Sequence, residues 1–145
     1  MTETTDMGRV LTEVRIENLE DVWAVRRGEI PCEQVRAVEL DNALVDTGAT
    51  TLALPSRIIR QLGLAKVAEK QATSSHGRGP VNIYEAVRLT IMDRFCTVDV
   101  IEVPDDVPVL IGQIPLEMLD LVVDLQGRRL IGNPEHGGEQ VLELY

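Results

Sequence analysis

Ala43-Leu44-Val45-Asp46-Thr47-Gly48-Ala49 is the stretch on which the reading of this chain turns. Its apolar lead-in has the composition of a strand edge to a core, and it delivers a carboxylate, then a hydroxyl, then a residue free to take a sharp turn. Asp46 is thereby presented at the rim of a core rather than on a solvated face. An Asp-led turn of this composition is ordinary in its own right, so the surrounding chain has to decide what the carboxylate is for.

Toward the N-terminus, residues 1–7 are polar and are expected to be disordered, and residues 8–145 are expected to form a single domain. Val10, Leu11, Val14 and Ile16 open a strand, Val22–Val25 reads as a second strand, Arg27–Pro31 as a turn, and Val35–Leu40 with Ala43–Val45 as further strand pieces. Toward the C-terminus, Leu54–Leu62 has helical spacing of its apolar residues, Pro55 at a first helical position and Gly63 just past the end. Strand pattern returns at Val67 and reverses through Ser74-Ser75-His76-Gly77-Arg78-Gly79-Pro80. It runs back over Val81–Ile91, turns at Met92–Arg94 and continues over Phe95–Val103. Val109-Leu110-Ile111 is an apolar strand stopping at Gly112. Pro115–Asp120 reads as a short helix, and Leu121–Leu125, Arg129–Ile131 and Gln140–Tyr145 as closing strands. The fold class is mainly β with one or two short helices.

The apolar pair followed by Asp46-Thr47-Gly48-Ala49, together with Val109-Leu110-Ile111-Gly112 and the short helix after it, resembles the retroviral-type single-domain aspartic proteases, the retropepsins and their cellular and bacterial relatives. The resemblance covers about residues 8–133, and the helix after Pro55 and the tail after Asn133 fit the bacterial or cellular branch better than the short retroviral layout. It implies a closed β-barrel with a flap hairpin and an active site on a homodimer axis. Asp46 would be catalytic, with Thr47, Gly48 and Ala49 supporting the loop and the Thr47 hydroxyl bonding across the axis. Gly112 would pack beside that loop to complete a ψ-shaped strand pairing. Ser75, His76, Gly77, Arg78 and Gly79 would form the flap tip. Thr50, Leu52, Ala53, Pro108, Leu110 and Ile111 would line the substrate pocket.

The chemistry accounts for the residue types. Peptide hydrolysis without a metal or a covalent intermediate needs one carboxylate to take a proton from water while a neighbouring carboxylic acid protonates the carbonyl oxygen. Two aspartates held together share one proton, as the aspartic proteases illustrate in general. The chain carries a single Asp-Thr-Gly, so the second carboxylate is expected from another copy across a two-fold axis. Many relatives place an Asp directly after the motif's Ala and an Arg directly after the Gly of the second motif, as a salt bridge. Thr50 and Gln113 stand there instead, and both charges are missing together.

Composition narrows the alternatives. Acidic residues outnumber basic ones 24 to 14, for a net charge of −10, which argues against a nucleic-acid partner. No apolar run approaches the roughly 18 residues of a membrane span, and the opening Met1–Met7 lacks the regions of a signal peptide. A cytoplasmic protein with a polypeptide substrate and no membrane partner is the expectation. Cys32, Cys96, His76 and His136 stand apart from one another. No metal or cofactor is expected, and the cysteines are expected to be free, partly buried thiols. Two rival functions remain to be weighed. Asp46–Thr51 also looks like the phosphate hairpin of sugar kinases and actin-like ATPases, whose fold needs far more chain. A catalytically idle dimeric peptide-binding module of the same fold is the stronger rival.

Overall fold

The computed structural model describes residues 9–74 and 77–144. The expected disorder of residues 1–7 and the flap-tip residues Ser75 and His76 lie outside the described residues.

Alternating sequence becomes alternating burial. Strand β1 (Leu11–Asn18) turns Val14, Ile16 and Asn18 inward, and β6 (Arg94–Val103) turns Cys96, Val98 and Val100 inward with Phe95, Thr97 and Asp99 outward. Between them run β2 (Ala37–Val45), β3 (Leu52–Pro55), β4 (Lys66–Ser74) and β5 (Gly77–Ile91), followed after β6 by the two-residue β7 (Leu110–Ile111). The strands pair in the order β1–β2–β7–β3–β6–β5–β4, and a further pairing of β1 with β5 closes them into a ring from which β4 projects. Closure matters because it leaves few strand edges unpaired. A separate ribbon joins β8 (Leu121–Asp124) to β9 (Arg129–Gly132). Inside the ring lies one apolar cluster that includes Ile16, Leu52, Leu54, Leu62, Val87, Leu89, Val100 and Ile111. Each such side chain contributes about 1.5–3 kcal/mol by leaving water.

Helices fill the gaps. Helix α2 (Ser56–Leu62) buries Ile58, Ile59 and Leu62, and Gly63 ends it in the left-handed region at φ 69°. Pro55 sits one residue ahead of the helix as the last residue of β3, because Leu52–Pro55 pairs in parallel with Val100–Val103 and extends the strand up to the proline. Helix α3 (Gln113–Leu119) starts ahead of its expected Pro115 and buries Pro115, Leu116 and Leu119.

Two expectations are corrected. Val22–Val25 is not a strand but part of helix α1 (Leu19–Arg26). Asn18 caps this helix by accepting from the Asp21 amide at 3.1 Å, its amide group donates to the Leu62 carbonyl at 2.8 Å, and Glu20 and Asp21 place negative charge in the first turn. Local capping outweighs the β preference of the two valines. Gln140–Leu144 forms no strand either. Side chains hold this tail in place of a ladder: the Val141 amide donates to Asp120 Oδ2 at 3.0 Å, and the Gln140 amide group donates to the Met118 carbonyl at 3.1 Å.

The thiols differ from expectation in one respect. Cys96 is buried, and burial pushes its pKa up to about 11, whereas Cys32 is exposed.

Candidate active site

Asp46 follows the last residue of β2, and the loop it begins is held at both ends by β7. Leu44 and Val45 pair in parallel with Leu110 and Ile111, while Leu52 and Ala53 pair antiparallel with Ile111 and Leu110. Strand β7 is thus inserted between the two strands that flank the Asp46 loop, which gives the ψ-shaped arrangement. Backbone bonds complete it. The Asp46 amide donates to the Ile111 carbonyl at 2.9 Å, and the Gly112, Gln113 and Ile114 amides donate to the carbonyls of Thr51, Ala49 and Thr50 at 3.0, 2.9 and 2.9 Å.

This network fixes where the carboxylate stands. The Ala49 amide closes the turn onto the Asp46 carbonyl at 3.0 Å, and the Gly48 amide donates to Asp46 Oδ1 at 3.0 Å. One carboxylate oxygen is therefore oriented by backbone, and the side chain is half-buried. Thr47 and Gly48 are exposed on the outer side of the turn. Gly112 has no room for a side chain: a Cβ there would fall 2.4 Å from the Thr51 carbonyl oxygen and 2.7 Å from that of Ala49.

At the positions where many relatives carry a salt bridge, Gln113 turns its amide group to Glu117 Oε1 at 3.0 Å within its own helix, and Thr50 is exposed. The contact between Ala49–Thr50 and Gln113–Ile114 is carried by backbone instead.

The expected pocket residues separate into two groups. Leu52 and Ile111 are fully buried and point into the core, where they pack. Ala53 and Leu110 form a cross-strand pair on the opposite face, with Leu110 half-buried, and Thr50 and Pro108 are exposed. The antiparallel pairing of β4 with β5 extends to Thr73↔Arg78 and Ser74↔Gly77, with Gly77 at φ 103°. The described part of the expected flap, Gly77, Arg78 and Gly79, thus belongs to the start of β5.

Sequence reading missed a cavity of about 410 Å³ beside the loop, whose lining includes Thr50, Thr51, Lys70, Ile83, Ile101, Ile114 and Met118. Ile83 and Ile101 are directly paired across β5 and β6. Strand alternation gives little signal for it, since the buried Val98 also lines the cavity and Ile83 is in phase with the core residues Val87 and Leu89. It also missed a cluster around Asp120, which accepts from His136 Nδ1 at 2.6 Å and from the Asn133 amide group at 3.2 Å, while His136 Nε2 lies 3.0 Å from Glu143. These residues are too far apart in sequence to suggest one another.

Asp46 is thus carried on a loop with one carboxylate oxygen on the Gly48 amide, beside the inserted apolar strand β7. A family model described as aspartyl protease matches residues 35–114, the segment holding the Asp46 loop, the hairpin and the Gly112 strand. That is more than half of the chain, and the chain belongs to the aspartyl protease family. No curated protein matches it.

The described residues contain no helix long and apolar enough to cross a membrane.

Proposed function

We propose that the protein is a homodimeric aspartic endopeptidase in which Asp46 of each chain supplies one half of the catalytic pair. The observation that carries this reading is the insertion of β7 between β2 and β3, which sets Asp46 at the end of β2 with Oδ1 on the Gly48 amide. A single Asp-Thr-Gly per chain makes the second carboxylate the partner's Asp46. In the reaction, water held between the two carboxyl groups loses a proton to the ionised one as its oxygen attacks the scissile carbonyl carbon. The protonated one gives its proton to the carbonyl oxygen. Collapse of the tetrahedral species with protonation of the nitrogen then breaks the carbon–nitrogen bond, and the pair returns to its singly protonated state.

The exposed Thr47 hydroxyl suits a contact across the axis that keeps the two loops coplanar. The β4–β5 hairpin serves as the flap over an extended substrate, whose apolar side chains lie against Ala53 and Leu110 with Thr50 and Pro108 at the rim. The test is incubation of the purified chain and its Asp46→Asn variant with a diverse peptide library, with products read by mass spectrometry. Cleavage is expected from the parent and none from the variant, with no effect of a chelator. Equal cleavage by both proteins, or inhibition by the chelator, contradicts the reading.

A further inference from the structure

A groove of about 330 Å³ lies where α1 meets the base of the β4–β5 hairpin. Its apolar wall includes Trp23, Val67 and Tyr84, and two of these are unusually open for large apolar residues, Trp23 at 46% and Val67 at 61% exposure. Its polar wall includes Glu20, Glu85 and Asp99. Glu20 and Glu85 stand together in this wall, and the Ala65 amide donates to Glu85 Oε1 at 2.7 Å. Two carboxylates in contact repel when both are ionised, and the contact with Glu85 accordingly raises the pKa of Glu20.

Arg36 does not relieve them directly. Arg36 spends its guanidinium on Asp21, with Nε at 2.8 Å and Nη2 at 3.1 Å, and acts on the glutamates only as a more distant charge. An open indole beside paired carboxylates is complementary to a planar cation, which stacks on the ring and offers two parallel donors to the acids. Arginine meets that description better than lysine. Asp99 lines this groove and also the cavity beside the Asp46 loop, and its carbonyl accepts from the Thr51 hydroxyl at 3.1 Å. The two depressions thus border one common residue.

We propose that this groove holds an arginine side chain, next to an apolar residue, of the polypeptide whose scissile bond sits at Asp46, so that the protein selects substrates carrying a basic residue outside an apolar cleavage segment. The identity of that polypeptide as a substrate rests on the peptidase reading; the occupation of the groove does not.

Trp23 is the single tryptophan of the chain, so its emission reads the groove directly. The full chain carrying Asp46→Asn is titrated with acetyl-Leu-Arg-Leu-amide, with the same peptide containing citrulline, an uncharged isostere of arginine, and with one containing glutamate. Saturable change of Trp23 emission with the arginine peptide is expected, with binding weaker by about ten-fold or more for citrulline, the scale of one charge-assisted contact, and weaker still for glutamate. Glu20→Gln with Glu85→Gln should abolish the arginine preference while far-ultraviolet circular dichroism stays unchanged. Should that pair fail to fold, exposed Glu20→Gln alone should reduce the preference. No saturable response, equal binding of arginine and citrulline, or a preference that survives these substitutions overturns the proposal. Cleavage of peptides without basic residues reads the Asp46 chemistry separately. Loss of arginine selectivity with that cleavage intact defeats the groove alone, and arginine binding without any cleavage upholds the groove and defeats the peptidase reading.

Discussion

The Gly112 amide donates to the Thr51 carbonyl at 3.0 Å, and a methyl group on Gly112 would stand 2.4 Å from that same oxygen. The bond and the clash come from one close approach, which seats β7 against the Asp46 loop. Gly112→Ala should therefore cost about 1–3 kcal/mol, the usual range for overpacking, because the opposing atoms are backbone and cannot rotate away. Urea denaturation measures the loss. Faster amide exchange at Asp46 and Gln113 should accompany it, along with reduced peptide cleavage. A variant as stable and as active as the parent would show that the loop tolerates displacement of β7.

The tail should be held in a pH-dependent way. Hydrogen bonds that His136 donates to Asp120 and then to Glu143 hold its pKa above the ordinary value, and the His136 contact holds Asp120 below the usual carboxylate range. A raised His value means that the folded state keeps its proton longer than the unfolded state. This contribution is fully present below about pH 6.5 and is lost as pH rises through the higher folded value. The Asp120 contribution is present above about pH 3.9 and is lost as pH falls through its depressed folded value. Protection of the Val141 amide, corrected for intrinsic exchange, should decline as pH is raised from 6 toward 9 on about that scale. His136→Ala should remove the dependence. Protection that is flat with pH in the parent would contradict the clasp.

The hairpin turn between β5 and β6 runs against residue preference. Met92 and Asp93 have φ of 53° and 64°, the geometry of a two-residue turn that favours Asn-Gly. Met92→Asn with Asp93→Gly should raise stability by about 1 kcal/mol, since methionine is poorly suited to the left-handed region. Cleavage should be unchanged. Thermal denaturation checks this, and a lower midpoint would mean that the turn is selected for something other than its backbone.

The parts of the fold that sequence revealed are those fixed by local composition or by a short motif. Asp46-Thr47-Gly48 and Ile111-Gly112 are each short motifs of neighbouring residues, and their pairing is what the resemblance to the retropepsins implies. The Leu52 and Ile111 side chains could not be assigned to core or pocket, because alternation gives two faces without saying which is inside. Val22 and Val25 carry β preference, and the Asn18 cap that decides for a helix is a side-chain contact that residue preference does not register. Gln140–Tyr145 reads as a strand because the anchors that hold it otherwise, Met118 and Asp120, are remote in sequence. Its last residue, Tyr145, lies outside the described residues. The Trp23 groove is equally non-local, assembled from α1, β4, β5 and β6.

The shared pair of Asp46 carboxylates is tested most directly by mixing chains. Parent protein is exchanged with an equal amount of Asp46→Asn chains under conditions that allow subunits to redistribute, and cleavage is measured per parent chain. Random pairing leaves parent chains with a parent partner about half of the time, so specific activity should fall to about half and decline further as the variant is raised. Specific activity that does not change on mixing, with subunit exchange verified, would show that each Asp46 works without the other and that the shared-dyad mechanism is wrong.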